Sequence, residues 1–133
     1  MKLYLIYPTW PKLERQTKFH LPPHGPVVFA ATVPPEVEVT FADDNLQRID
    51  FEADVDLVAL SVMLSCQLPR AFEIADRFRA RGVKVIMGGI AVMLHPKDCA
   101  PHADSVFSSI AGMMRTPSRS PASVASAMPA SVS

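Results

Sequence analysis

A chain of 133 residues with 49% hydrophobic content has material for one buried core and leaves little room for a second independent domain. Thirteen basic and thirteen acidic residues give a formal net charge of zero, so nothing in the balance calls for nucleic acid or an anionic membrane as partner. Cys66 and Cys99 belong to no Cys-x-x-Cys or Cys/His cluster, and the run Met1 to Pro8 is too short for a signal peptide or a membrane span. These features predict reduced thiols, no zinc site, no disulfide framework and a cytoplasmic location.

Leu3 to Tyr7 is continuously apolar, contains Ile and two Tyr, and stops at Pro8, the pattern of a strand buried in a parallel sheet. From Pro8 to Pro26 no helical or strand period holds, and five prolines with Gly25 favour extended and turn conformations. A connection this long just after a strand end is expected to wall or cover a ligand. Val27 to Val33 suits a short helix beginning at Pro26 and ending before Pro34-Pro35. Val37 to Phe41 alternates as an edge strand and runs into the acidic turn Ala42-Asp43-Asp44-Asn45. Gln47 to Asp54 reads as a short helix or an irregular crossover.

Asp56 to Met63 is the predicted third strand. In Gln67 to Gly82 the residues Ala71, Ile74, Ala75 and Phe78 share one helical face, with Pro69 near the start and Gly82 as the stop. Arg70, Arg77, Arg79 and Arg81 then fall on the solvated exterior, with several near the negative end of the helix dipole. Val83 to Met87 is the fourth strand, followed by Gly88-Gly89. Strand, helix and strand in this order imply a parallel sheet with its ligand loops at the carboxyl ends of the strands, where Ser61 and Gly88-Gly89 stand. Pro96 to Ala100 can form one helical turn, and Asp104 to Phe107 a fifth strand. His20, His24, His95 and His102 lack partners at metal spacing and read as solvated or capping residues. The division expected is an α/β domain over 1–107 and a tail over 108–133, whose Ser, Ala, Pro and Met composition predicts disorder.

Up to about Phe107 the chain resembles the amino-terminal cobalamin-binding domain of cobalamin-dependent radical S-adenosylmethionine enzymes. The residues that carry the resemblance are Leu3-Tyr-Leu-Ile-Tyr-Pro8, Pro22-Pro23-His24-Gly25, and Val37-Glu-Val-Thr-Phe-Ala-Asp43 leading to Asn45. To these are added Ala53 to Ser61, Ala71 to Ile90 with its paired glycines, and His102-Ala-Asp104. The resemblance implies a flavodoxin-like, doubly wound five-stranded parallel sheet of order 2-1-3-4-5. It also implies cobalamin as cofactor, with Ser61 on the base of the nucleotide tail and Gly88-Gly89 bordering the slot that holds it. Met63 and Ile90 flank those positions, and Thr9, Trp10, Asp43 and Asn45 stand where the corrin would be met.

Related cobalamin domains supply an axial histidine from Asp-x-His-x-x-Gly after the first strand. Here that place reads Pro8-Thr9-Trp10-Pro11, so cobalt would be held without a protein imidazole, with Thr9 or Trp10 covering its lower face. Shortly after the paired glycines, where a histidine is frequent, this chain has Ala91. The family continues into a radical barrel whose Cys-x-x-x-Cys-x-x-Cys motif holds an iron–sulfur cluster that binds S-adenosylmethionine, and two cysteines cannot build it. The abrupt composition change at Ser108 leads to the expectation of a truncated, frameshifted or rearranged gene product. The chain is thus expected to be a cobalamin-binding module, remnant or fragment of a methyltransferase-type enzyme, with no catalytic residue or metal ligand of its own and a separate radical-barrel chain as possible partner. The alternative is a stand-alone flavodoxin-like signalling or nucleotide-binding domain. A receiver domain would need a phosphorylatable Asp where Ser61 ends its strand, and a dinucleotide domain would need Gly-x-Gly-x-x-Gly after the first strand.

Overall fold

The structure, a computed structural model, describes residues 1–11 and 23–107. Most of the long connection after Tyr7, His20 within it, and the tail at 108–133 lie outside the described residues. The described elements run in the order β1 (Lys2–Tyr7), α1 (His24–Thr32), β2 (Glu38–Asp43), β3 (Leu57–Ser61), α2 (Leu68–Ala80), β4 (Lys84–Gly88), α3 (Ile90–Leu94), α4 (Pro96–Cys99) and β5 (Ser105–Val106). Single 3-10 turns at Ser65–Gln67 and Ala100–His102 precede α2 and β5. The five strands form one parallel sheet of order β2-β1-β3-β4-β5, the predicted topology.

Alternation along the strands divides the core between two faces, as a pleated strand requires. Tyr4, Ile6, Val58, Leu60, Val85 and Met87 turn toward α2, which meets them with Ala71, Ile74, Ala75 and Phe78. Leu3, Leu5, Leu57, Ala59 and Ile86 line the other face, with Phe29 and Ala30 of α1 packed against them. Both faces are covered, so the central strands are apolar throughout, whereas β2, at the open edge, keeps Glu38, Thr40 and Phe41 exposed.

The helix α2 begins at Leu68 with Pro69 in its first turn and ends before Gly82, whose φ of +81° takes the left-handed conformation that closes a helix. Its arginines are not simply solvated. Arg70 pairs with Asp44 through Nε at 2.8 Å, Arg77 lies 3.4 Å above the Phe51 ring, and Arg79 donates to the Pro101 carbonyl. Arg81 donates to the carbonyls of Phe51 and Ala53. They tie the helix to the turns at 44–56 and 99–104, because the 47–54 stretch is an irregular crossover that needs partners for its carbonyls.

The helix α1 is different in kind. It is apolar all round yet buries only Pro26, leaving Val27 and Val28 57% and 48% exposed. It covers its face of the sheet incompletely, and the gap becomes a cavity.

Candidate functional site

Between α1 and the carboxyl ends of the strands lies a cavity of about 490 Å³. Its floor is Leu5, Ala59 and Ile86, its walls are Gly25, Val28, Phe29 and Thr32 of α1, and its far side is Ile90, Met93 and Phe107. Ser61, Gly88 and Gly89 stand at its rim. The position is the switch point of the doubly wound sheet, where β1 turns outward to β2 and β3 turns the other way to β4, the place at which such folds receive ligands.

Among the described residues no charged side chain lines this cavity. The Thr32 hydroxyl donates to the Phe29 carbonyl at 2.7 Å, so it is engaged. Among the described residues the Ser61 hydroxyl has no hydrogen-bond partner, which leaves it an uncommitted polar group in an apolar chamber. Gly25 stands opposite it, and a Cβ there would come within 3.8 Å of the Ser61 Oγ and narrow the entrance. A flat, largely apolar group with one hydrogen-bond acceptor suits this space.

The paired glycines do different things. Gly89 has φ +112°, and a Cβ on it would lie 2.3 Å from the Val62 carbonyl oxygen, so the glycine is required by the approach of its own chain to the end of β3. That approach is held by Val62 N–H donating to Gly88 O at 2.8 Å and Ala91 N–H donating to Val62 O at 3.2 Å. Ala91 is fully buried in the core cluster that faces α2 and does not line the cavity. Gly88 is less constrained: a Cβ would meet Phe107 at 3.5 Å, an ordinary contact.

Thr9, Trp10, Asp43 and Asn45 form a second group at the ends of β1 and β2 and do not line the cavity. The Thr9 amide donates to Asp44 at 3.1 Å and its hydroxyl to Asn45 Oδ1 at 2.9 Å. Asp43, buried at 4% exposure, accepts from the Asn45 amide and side chain at 2.9 and 2.8 Å. Trp10 packs edge-on against Tyr7 with ring centroids 6.2 Å apart. These groups mostly satisfy one another and fix the shape of the loop ends. Met63, 43% exposed, lies just beyond Val62 and is likewise outside the cavity lining.

Gln67 was not singled out by sequence and ties the loop end of β1 to that of β3. It is completely buried, accepts from the Met63 and Leu64 amides at 3.0 and 2.8 Å, and donates to the Pro8 carbonyl at 2.6 Å. Burial pushes the Tyr7 hydroxyl above its ordinary pKa, with the hydrogen bond to Gln67 opposing that rise and the nearby Asp43 and Cys66 adding to it. Both thiols are free: Cys66 is exposed, whereas burial and, secondarily, Asp98 raise the Cys99 thiol. Among the described residues no cluster of three His, Cys, Asp or Glu side chains is arranged to hold a metal, and no helix is long and apolar enough to cross a membrane.

Fold and cavity together define a doubly wound α/β domain with an apolar chamber at its switch point. Compared with known proteins, the chain is 32% identical over 80 residues to the bacteriochlorophyllide d C-8(2)-methyltransferase of Chlorobaculum tepidum. The match covers 59% of this chain and 18% of that enzyme, so the chain corresponds to a small part of its curated relative. No protein-family model matches the chain, and no solved structure matches it.

Proposed function

We propose that residues 1–107 form a cobalamin-binding module related to those of methyltransferase-type radical enzymes, one that does not carry out radical methyl transfer by itself. The observation that carries this reading is the apolar cavity with the free Ser61 hydroxyl at its rim, at the switch point of the sheet. The partial likeness to a methyltransferase and the family resemblance of the residues around Ser61 and Gly88-Gly89 support it.

The residues present fit the group. The base of the nucleotide tail is a flat, apolar heterocycle with an acceptor nitrogen, which the walls of the cavity would enclose and Ser61 would meet as donor. Gly25 and Gly88 keep the entrance open by lacking side chains. The corrin would lie over the loop ends, where Thr9, Trp10 and Asn45 already stand in a fixed arrangement. No histidine stands at Thr9 or Trp10, so the protein's part is to enclose the tail and shield the ring rather than to ligate cobalt. Bound cobalamin supplies a cobalt centre able to carry a methyl group. In this reading the module works in the cytoplasm beside a radical barrel on a separate chain, which holds the iron–sulfur cluster and S-adenosylmethionine.

Mixing the purified full chain with hydroxocobalamin, desalting, and reading the visible spectrum tests the proposal. Corrin absorbance should remain with the protein, with a spectrum lacking the signature of imidazole coordination. Ser61→Trp, which fills the slot, should abolish retention while leaving the circular dichroism unchanged. A colourless eluate from the unsubstituted chain overturns the proposal, as does undiminished retention by the variant.

A further inference from the structure

A second constellation stands on the same edge of the sheet and uses no residue of the cavity. Ser65 opens the 3-10 turn that runs directly into α2, while His95 and Asp98 flank and occupy the short helix α4. The Ser65 Oγ lies 3.2 Å from His95 Nε2, and His95 Nδ1 lies 3.8 Å from Asp98 Oδ2. With its proton on Nδ1, the imidazole offers Nε2 to the serine hydroxyl and faces the carboxylate with its N–H side. This is the order of groups by which a hydroxyl is made nucleophilic and the resulting imidazolium is steadied. The 3.8 Å separation is an ion-pair distance for a protonated ring.

Two further features bear on such chemistry. Ser65 and Cys66 occupy the amino end of the helical run from 65 to 80, where the first amide N–H groups have no acceptor within the helix. Leu64 precedes the serine and Leu94 the histidine, and they are 42% and 67% exposed, so an exposed apolar side chain adjoins each member of the pair in the chain.

We propose that Ser65 and His95 form an acyl-accepting centre for small esters with an apolar acyl group, with Asp98 as a positioning residue. Ser65 Oγ bonds to the ester carbonyl carbon as its proton passes to His95 Nε2. The carbon–oxygen bond to the leaving alcohol then breaks, and the alcohol departs with that proton. Water, deprotonated by the same imidazole, cleaves the acyl-serine to free acid and restores the hydroxyl. Ester and water become acid and alcohol, and no metal or redox partner enters.

The test is labelling of the full chain with an alkyl fluorophosphonate, read by peptide mass spectrometry, alongside hydrolysis of p-nitrophenyl acetate. In labelling, Ser65 Oγ bonds to phosphorus, fluoride leaves, and the proton goes to His95. The adduct should form on Ser65, vanish in Ser65→Ala, and persist in Cys66→Ala, which removes the neighbouring thiol. His95→Gln should slow both reactions by about a hundredfold or more, the low end for a lost general base. Asp98→Asn should slow them less, and Asp98→Glu should recover most of the rate. Ser65 and Asp98 are exposed and His95 partly so, and unchanged circular dichroism verifies that each variant folds. Labelling of Ser65 no faster than of other serines, or rates indifferent to His95→Gln, overturns the proposal. Both results are independent of cobalamin retention.

Discussion

At the scale of single residues, Gly89 shows what a sequence offers and what it withholds. The paired glycines after an apolar run mark a strand end, and the cavity rim is where they lie. Their neighbour across the rim, the Val62 carbonyl, was not legible, because it comes from another strand and depends on a register that no local pattern states. Gly89→Ala combines a φ of +112° with a 2.3 Å approach to that carbonyl. It should lower the free energy of unfolding by about 2 kcal/mol or more, as read from urea denaturation. Gly88→Ala, meeting only Phe107 at 3.5 Å, should cost much less. Equal losses at the two positions would contradict this assignment. Ser61 was legible for a simpler reason, since a small hydroxyl residue closing a buried strand is conspicuous.

Between elements, the joint that matters most is polar. A glutamine just ahead of an amphipathic helix looks like a surface residue, and only the fold shows that Gln67 bridges the loop ends of β1 and β3. In Gln67→Leu, the Met63 and Leu64 amides and the Pro8 carbonyl lose their partners. Each buried backbone group left unsatisfied costs about 1–3 kcal/mol, so the variant should be among the least stable single substitutions in this chain. Thermal melting of Gln67→Leu beside Gln67→Glu separates the two halves of the bridge, because Glu keeps the acceptor and removes the donor to Pro8. A melting temperature for Gln67→Leu within a degree or so of the parent would refute the bridge. The elements themselves were readable from period and punctuation: α2 from its apolar face, β1 from Pro8, and the helix stop from Gly82. The cavity was not readable, since α1 looks like a helix that should be buried, and its incomplete cover is a matter of packing.

Taken whole, the molecule carries two buried acids that keep their protons. Burial raises both Tyr7 and Cys99, so at alkaline pH the folded chain retains protons that the unfolded chain releases. The folded state then binds more protons, and stability falls as pH rises. The contribution is complete at neutral pH and declines once the pH passes the ordinary cysteine and tyrosine values, about 8.5 and 10. Melting temperature followed from neutral to alkaline pH should show that decline, and Tyr7→Phe should remove its upper part. An identical profile in Tyr7→Phe would count against the Tyr7 contribution. The topology was legible because each strand–helix–strand unit has one allowed hand, and the family resemblance supplied the strand order.

The central place of β1 has a consequence for how the protein is made. β1 precedes both of its neighbours in the chain, pairing with β2 through Leu3 and Val39 and with β3 through Leu3 and Leu57, so its second partner lies far downstream. At about 5–20 residues per second, roughly 3–10 s separate synthesis of the two strands. During that interval the apolar strand lacks both neighbours until β2 is made and then its β3 side until the end, a standing target for chaperones. Ribosome-arrested chains of increasing length should therefore leave β1 open to protease until the nascent chain has exposed Ser61, and protection in much shorter chains would show that β2 alone suffices to shelter it.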